Sequence, residues 1–219
     1  MLEKGRGIMK KENTKKQFLI EALKLFAEFG YDSVSISQIA ERVGCSAPAL
    51  YKHYSGKQAL FDAIIELSEL SYEERMKSIH KSFWNNEKSD YFLTENGQIE
   101  FVTKLFESAL SEEYPRLFRN FIISEKSKNP ELSKIYNERY IFSQYGFFEE
   151  IIKELIARDI LNDENSEIMA IEYASPVALW IEACDREPER KEEFLKMIEN
   201  HIHHFFRVYR KKLLKKKEV

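Results

Sequence analysis

The sequence predicts an all-α fold, in which an N-terminal three-helix helix-turn-helix domain precedes a larger helical domain. Glycine and proline, which most often interrupt helices, number only seven and five among 219 residues. Runs of β-branched residues, which favour strands, are scarce. The hydrophobic content of 43% is enough for a sizeable core. Apolar residues recur at helical spacing in segments that together give about nine helices.

The first predicted helix covers residues 14–29. Its apolar residues recur at helical spacing and form one stripe that we expect to be buried: Phe18, Ala22, Leu25, Phe26 and Phe29. Residues 1–13 are polar and contain two glycines, so we expect a disordered basic arm there.

The second and third helices are short and are joined by a glycine turn. Ser35 can cap the second helix, and Gln38, three residues later, completes a capping box. Gly44 supplies the positive φ that ends this helix. Ser46 can cap a third helix over residues 47–54, where Pro48 lies in the first turn and its missing N–H costs nothing. Two helices joined in this way form a helix-turn-helix, whose second helix enters the major groove of DNA.

The fourth predicted helix begins at another capping box, Ser55-x-x-Gln58, and ends near residue 81. Residues 85–96 are the best candidate for a loop. Asn129-Pro130 is a helix start signal, and Gly146 is the candidate site of a bend. The remaining helices are expected over residues 97–110, 113–127, 130–158, 164–184 and 188–213.

The net charge of −3 hides an uneven distribution along the chain. Residues 1–57 carry ten basic and six acidic side chains, whereas residues 58–206 carry seventeen and thirty. Residues 207–219 carry seven and one. A basic head on an acidic body is typical of a module that meets phosphate, joined to one that does not. Chance clustering is the simpler alternative, and the lysines of the tail can also be explained by the dipole of the last helix.

A set of residues across the first four helices carries a family resemblance. It consists of Phe29-Gly30-Tyr31, Ile39-Ala40, Gly44-Cys45-Ser46, Leu50-Tyr51, His53-Tyr54, Lys57 and Ala59-Leu60-Phe61. In order and spacing this set is similar to the N-terminal domain of the tetracycline-repressor-like (TetR) transcriptional regulators. The resemblance covers roughly residues 14–64; beyond them, only helical character and length agree.

The resemblance implies that nine residues contact DNA. Those at base edges would be Ser37, Ala47, Pro48 and Lys52, and those near phosphates would be Ser35, Ser46, Tyr51, His53 and Lys57. Hydroxyls and lysines donate to phosphate oxygens, and apolar groups can touch a thymine methyl. A structural role is an equal alternative for His53, and we expect Leu50 and Tyr54 in the core. Ala47 and Ala49 stand where the family often has polar or charged residues, and Ser37 stands where an arginine is common. Methyl contacts and DNA shape would therefore carry more of the sequence specificity than usual.

Aromatic residues are frequent in the middle helices. Core packing explains any one of them, but buried Tyr and Trp need polar partners, so several could instead line a cavity. The resemblance implies such a cavity for a small, lipophilic or aromatic effector. The candidate lining residues are Phe101, Phe106, Phe118, Phe121, Tyr140, Tyr145, Phe148, Tyr173 and Trp180.

The last two predicted helices offer more apolar surface than one packing partner needs. The resemblance implies that they form a four-helix bundle with a symmetry mate. The candidate interface residues are Ala174, Ala178, Ile181, Phe194, Ile198, Ile202 and Phe205. A two-fold dimer would double the few base contacts that one short recognition helix can make.

Residue patterns of an enzyme or a metal site are not evident in the larger domain. His201, His203 and His204 place only the first and third on a shared helical face, so solvated or interface histidines are the simpler interpretation. Cys45 and Cys184 do not make a disulfide framework. The sequence has no signal peptide and no apolar stretch near the ~18 residues of a membrane span. We therefore expect no cofactor, metal or membrane partner, and a cytoplasmic protein that is not an enzyme.

The sequence thus predicts a ligand-responsive regulator, most simply a repressor, that binds a palindromic operator in double-stranded DNA as a homodimer. Residues 1–56 would form the DNA-binding domain and residues 57–219 the effector-binding and dimerisation domain. Effector entry would shift the fourth helix and change the spacing of the two heads. One alternative is a helical small-molecule-binding or scaffold protein that no longer reads specific DNA. The third hypothesis, after these two, is an enzyme whose active site lies in the larger helical domain.

Overall fold

The computed structural model describes residues 2–84 and 89–211, and over these residues the regular structure is helical. The α-helices are α1 (Leu2–Phe29), α2 (Ile36–Arg42), α3 (Ala47–Tyr51), α4 (Lys57–Trp84), α5 (Ser89–Phe92), α6 (Glu95–Ser111), α7 (Glu113–Glu125), α8 (Pro130–Asn137), α9 (Ser143–Ala157), α10 (Ser166–Arg186) and α11 (Lys191–Tyr209). A π-helical segment, Glu138–Phe142, joins α8 to α9, and a 3₁₀ turn, Pro188–Arg190, precedes α11. In the described part of the chain, no helix is long and apolar enough to cross a membrane.

The chain divides into two compact units. The first contains the described residues up to Lys81 together with Glu112–Ser133, so α7 belongs to the same unit as the helix-turn-helix. The second contains the described residues of Ser82–Ser111 and those from Lys134 onward. The domain boundary predicted at residues 56 and 57 follows the sequence motif rather than these contacts, and it stays a prediction.

The core of the first unit is built where α1 meets α2, α3, α4 and α7. Its completely buried side chains include Phe18, Phe26, Ile39, Leu50, Leu60, Ile64 and Phe121. The ring of Phe121 lies 5.8 Å from that of Phe26 and 6.2 Å from that of Phe61, which joins α7 to α1 and α4. Phe29, expected in the buried stripe, is exposed because α1 ends there and the chain turns at Gly30, whose φ is +81°.

The core of the second unit is rich in aromatic rings. The rings of Phe92, Phe101, Phe147, Phe148 and Tyr173 follow one another with centroid separations of 4.9 to 6.0 Å. Tyr173 is 1% exposed, and its hydroxyl donates to the buried side chain of Gln98 at 2.9 Å. These contacts connect α6, α9 and α10 through one apolar layer.

Two features of the N-terminal half differ from the predictions. A disordered basic arm was expected over residues 1–13, whereas the backbone of residues 2–13 is part of α1, which begins at Leu2. The capping box expected at Ser55 and Gln58 does not form. Instead α4 begins at Lys57, and the amide of Gln58 accepts from the Tyr31 hydroxyl at 3.1 Å and donates to Asp62 at 2.8 Å.

Two further differences lie in the second half. Part of the predicted loop over residues 85–96 is helical, as Ser89–Phe92 and the start of α6 at Glu95, whereas residues 85–88 lie outside the described chain. A bend was expected near Gly146, where α9 continues as an α-helix. Hydrogen-bond register changes earlier, in the π segment, where the amide of Ser143 donates to the carbonyl of Glu138. The basic tail from residue 212 lies outside the described residues.

Candidate nucleic-acid interface

The first helix of the helix-turn-helix has the predicted caps at both ends. The Ser35 hydroxyl accepts from the Gln38 amide N–H, and the Gln38 side chain accepts from the Ser35 amide at 2.7 Å, which completes the capping box. At the other end Gly44 has φ +70°. The amide of Gly44 donates to the carbonyl of Glu41, and that of Cys45 to the carbonyl of Ala40. This pair of bonds is a Schellman ending, so local sequence sets the length of α2.

The second helix, α3, is shorter than predicted. It begins after Ser46 and ends at Tyr51, where residues 47–54 were expected to be helical, and the chain leaves it in a turn at Lys52 and His53. Ser46 makes no side-chain capping hydrogen bond, so its hydroxyl is not committed to the helix. Pro48 lies in the first turn, as predicted. Leu50 is completely buried and anchors α3 against the core.

Seven of the nine residues expected at DNA are exposed or partly exposed on α2 and α3 or directly beside them, and we refer to them together as the exposed surface of α2 and α3. Ser35, Ser37, Ser46, Pro48, Tyr51 and Lys52 are exposed, with Tyr51 at 55%, and Ala47 is partly exposed. One exposed tyrosine, three serine hydroxyls and a lysine make a set of donors that suits phosphate and base edges. The Ser35 hydroxyl is the least free of them, because it also donates to the Gln38 side chain at 2.8 Å.

His53 and Tyr54 face the protein rather than the exposed surface. The ring of His53 is partly buried, and its centre lies 5.7 Å from that of Phe18 in α1. Tyr54 is buried, its hydroxyl donates to the Lys15 carbonyl at 3.3 Å, and burial raises its pKa to about 12. Tyr54 is therefore core, as expected, and the packing of His53 favours the structural alternative for it.

Lys57 occupies the first position of α4 and has an unexpected environment. Its ammonium donates to three carbonyl oxygens of the turn between α1 and α2: those of Tyr31 at 2.8 Å, Asp32 at 3.3 Å and Val34 at 3.0 Å. It also lies 4.4 Å from the centre of the Tyr31 ring, within cation–π distance. A lysine has three N–H donors, and all three have acceptors within the protein here. A phosphate could be bound only by giving up one of these bonds, and that role stays a prediction.

Sequence reasoning missed the roles of Tyr31 and Gln58 in the surroundings of Lys57. The Tyr31 ring packs 5.1 Å from Phe26 and 5.3 Å from Phe61, and its hydroxyl donates to Gln58. The one signal available was the Phe29-Gly30-Tyr31 sequence, which marks a turn but does not indicate which side chains it meets.

The expected effector-pocket residues are distributed over both compact units. Phe118 and Phe121 are buried in the first unit; Phe106, Phe148 and Tyr173 are buried in the second. Four residues of the second unit are partly exposed: Phe101, Tyr140, Tyr145 and Trp180. The Tyr145 hydroxyl and that of Ser175 lie 3.1 Å apart. The effector site stays a prediction.

Five of the seven residues expected at a dimer interface are buried within one chain and offer little surface to a second copy, and the interface stays a prediction. The buried ones are Ala174, Phe194, Ile198, Ile202 and Phe205; Ala178 and Ile181 are partly exposed. The sequence pattern identified the most apolar stripe of α11, which is the stripe that packs on the protein's own core. The same helices expose other apolar residues: Ile168 and Leu179 on α10, and Met197 and Val208 on α11.

The remaining candidates have ordinary structural environments. Cys184 is buried, and burial raises the pKa of its thiol. The ring Nε2–H of His201 donates to the Tyr173 carbonyl across 2.9 Å, and burial lowers the pKa of His201. His203 lies 2.5 Å from a carboxylate oxygen of Glu95. Among the described residues, no group of three or more His, Cys, Asp or Glu could hold a metal ion.

Comparison with known proteins points to one group. Residues 18–64 match the model of "Bacterial regulatory proteins, tetR family". The chain is 26% identical over 152 residues to the HTH-type transcriptional regulator AcrR of Shigella flexneri, covering 68% of this chain and 67% of that protein. It is 33% identical over 81 residues to the HTH-type transcriptional repressor ComR of Escherichia coli (strain K12). That match covers 34% of this chain and only 37% of ComR, so the strongest likeness is confined to part of the relative.

The fold is similar to those of solved transcriptional regulators. A solved SmeT–triclosan complex superposes with a TM-score of 0.65 at 17% identity, over 91% of this chain and 93% of that one. A putative TetR-family regulator from Mesorhizobium loti gives a TM-score of 0.64 at 17% identity, over 91% and 98%. The predicted all-α fold with an N-terminal helix-turn-helix is thereby confirmed, and the matched sequence relatives are transcription regulators rather than enzymes.

Proposed function

We propose that this chain, a TetR-like transcriptional regulator, represses transcription by binding a palindromic operator as a homodimer and releases it when a small effector binds. The observation that carries the proposal is the exposed surface of α2 and α3. Its polar side chains stand on or directly beside two short helices whose opposite sides are fixed in the core by Ile39 and Leu50. A rigid support of this kind is what base readout in a groove requires.

The contacts would divide between positioning and reading. Tyr51 and Ser46 are suited to phosphates, which set affinity but carry no sequence information. Lys52 was expected at base edges, but because α3 ends at Tyr51 and Lys52 follows it as the C-cap, we assign Lys52 to a phosphate instead. Ser37 and Pro48, exposed at the starts of α2 and α3, would meet base edges. Replacing Ser37 with alanine is therefore expected to change the preferred operator sequence, whereas Lys52→Ala should weaken binding to all duplexes.

A dimer would bring two such surfaces to one duplex. Ile168 and Leu179 on α10 are eleven residues apart, as are Met197 and Val208 on α11, and this spacing corresponds to about three helical turns. Each pair thus lies on one side of its helix, and Leu179 and Val208 are 65% and 50% exposed. Apolar side chains aligned and exposed on neighbouring helices support an isologous interface between two copies.

The effector is proposed to be a small lipophilic or aromatic molecule that meets the aromatic residues of the helical body. A ligand that prefers the conformer unable to bind DNA needs a coupling free energy of only about 1–3 kcal/mol to act as an inducer. In the comparison, the SmeT complex contains triclosan, an aromatic compound, which is a reasonable first probe of this class.

Selection of random duplex DNA on the purified protein tests the proposal. Enrichment of a palindrome at moderate salt supports a dimeric DNA reader. Binding that is sequence-blind at every salt concentration contradicts it and favours the alternative, a helical ligand-binding protein that no longer reads DNA.

A further inference from the structure

We infer that Lys57 is a positioning residue that holds the start of α2 against α4, and that it supports DNA binding through this contact rather than by binding a phosphate. The inference deepens the proposed function, because it assigns the connection between α4 and the DNA-contacting surface to a specific side chain. It rests on the geometry of the Lys57 ammonium.

The first step is the geometry of the bonds. The three carbonyl acceptors belong to Tyr31, Asp32 and Val34, which form the turn directly before Ser35. Ser35 is the N-cap of α2, so the ammonium is bonded to the backbone that leads into this helix. The turn and the first residue of α4 are separated by more than twenty residues of chain. Lys57 therefore connects α4 directly to the turn before α2, by contacts in which α3 takes no part.

The second step concerns electrostatics. A cation at the first position of a helix is opposed by the positive end of the helix dipole. Carbonyl oxygens carry partial negative charge, and the face of the Tyr31 ring adds further negative potential 4.4 Å away. These groups compensate a position that would otherwise be unfavourable for lysine. The residue is partly buried, unlike Lys52, which is exposed at the end of α3.

The third step is the support around the lysine. The Tyr31 hydroxyl donates to Gln58, the next residue of α4, and the Tyr31 ring contacts Phe61 one turn further along. Three side chains of the first part of α4, those of Lys57, Gln58 and Phe61, thus contact the turn between α1 and α2. We call the set of Tyr31, Lys57, Gln58 and Phe61 the α4 clamp. Rotation or translation of α4 would pull on the backbone that orients Ser35 and Ser37.

The test compares Lys57→Met with Lys52→Met in the full-length protein. Both changes remove one ammonium, and the methionine at 57 keeps an apolar stem over Tyr31. Operator and shuffled duplexes are titrated at several salt concentrations, and amide hydrogen exchange of residues 31–38 is followed without DNA. Lys52→Met should lower the slope of log K against log salt by about one on both duplexes, as loss of a phosphate contact does.

For Lys57→Met we expect a different pattern. Exchange at residues 31–38 should accelerate, the preference for operator over shuffled duplex should fall by about tenfold, and the salt slope should equal that of the wild type. A purely stabilising lysine would lower the melting temperature but leave the operator preference of the folded protein intact, which overturns the inference. A salt slope reduced by about one overturns it as well, because Lys57 is then a phosphate ligand.

Lys57→Arg is the second variant, for use if Lys57→Met does not fold. Arginine keeps the charge, but its planar donors cannot converge on three carbonyls from a single atom. Faster exchange together with a lower preference for operator over shuffled duplex supports the inference, and a wild-type preference overturns it. If the wild-type protein selects no operator, the proposed function fails, whereas the exchange measurement still decides whether the clamp exists.

Discussion

Replacing Tyr173 with phenylalanine distinguishes a core residue from one that lines a cavity. The Tyr173 hydroxyl donates to Oε1 of Gln98 at 2.9 Å, and Nε2 of Gln98 donates to the Phe92 carbonyl at 2.8 Å. Both side chains are buried, and burial raises the pKa of the Tyr173 hydroxyl. Tyr173→Phe would leave the amide oxygen without its donor and out of reach of water. The free energy of unfolding should fall by about 1–3 kcal/mol.

A matched control is available at Tyr91. Its hydroxyl donates to Glu100 at 3.0 Å, but the side chain is exposed, so water can replace the bond. Tyr91→Phe should leave the free energy of unfolding essentially unchanged. Urea unfolding of both variants and the wild type, followed by circular dichroism, makes the comparison. Equal, small effects of the two substitutions would refute the reasoning, because they would mean that water reaches Gln98 and that Tyr173 borders a hydrated cavity.

Three other predictions follow from single observations. Gly44→Ala should cost about 1–2 kcal/mol, since a Cβ there meets nothing within 4 Å and only the positive φ is unfavourable. Gly30→Ala should cost more in the same urea experiment, because its Cβ would also lie 3.0 Å from the Glu125 carboxylate; equal losses contradict this steric argument. Leu179→Asp should yield monomers by sedimentation equilibrium, and a persistent dimer would place the interface elsewhere. Burial lowers the pKa of His201, so the unfolded chain takes up the proton first and stability should fall as pH drops below about 6.5. His201→Gln should lose less stability over that range, and an identical pH profile would exclude His201 as the cause.

The helix-turn-helix could be predicted from sequence because its signals are local. The capping box at Ser35 and Gln38 and the positive φ at Gly44 involve residues within a few positions of one another. Pro48 in the first turn of α3 is a signal of the same kind. The bounds of α2 and the start of α3 therefore agree with the structure.

Contacts between distant residues could not be predicted in this way. The same Ser-x-x-Gln pattern at Ser55 and Gln58 fails as a capping box because Tyr31, which is far away in sequence, competes for the Gln58 amide. Lys57 looks like an ordinary phosphate donor until the turn before α2 is folded beside it. Periodicity also cannot separate a buried stripe from an interface stripe, and for this reason Ile198 and Ile202 were expected at a dimer interface although they lie in the core.

Hydrogen exchange of the full-length protein with and without its selected duplex tests the central claim most directly. A DNA reader of the proposed kind should show slowed exchange at residues 35–38 and 46–53 with the operator, and weaker or no slowing with a shuffled duplex of equal length. Slowing at α10 and α11 alone, or equal slowing with both duplexes, would contradict sequence-specific reading by α2 and α3.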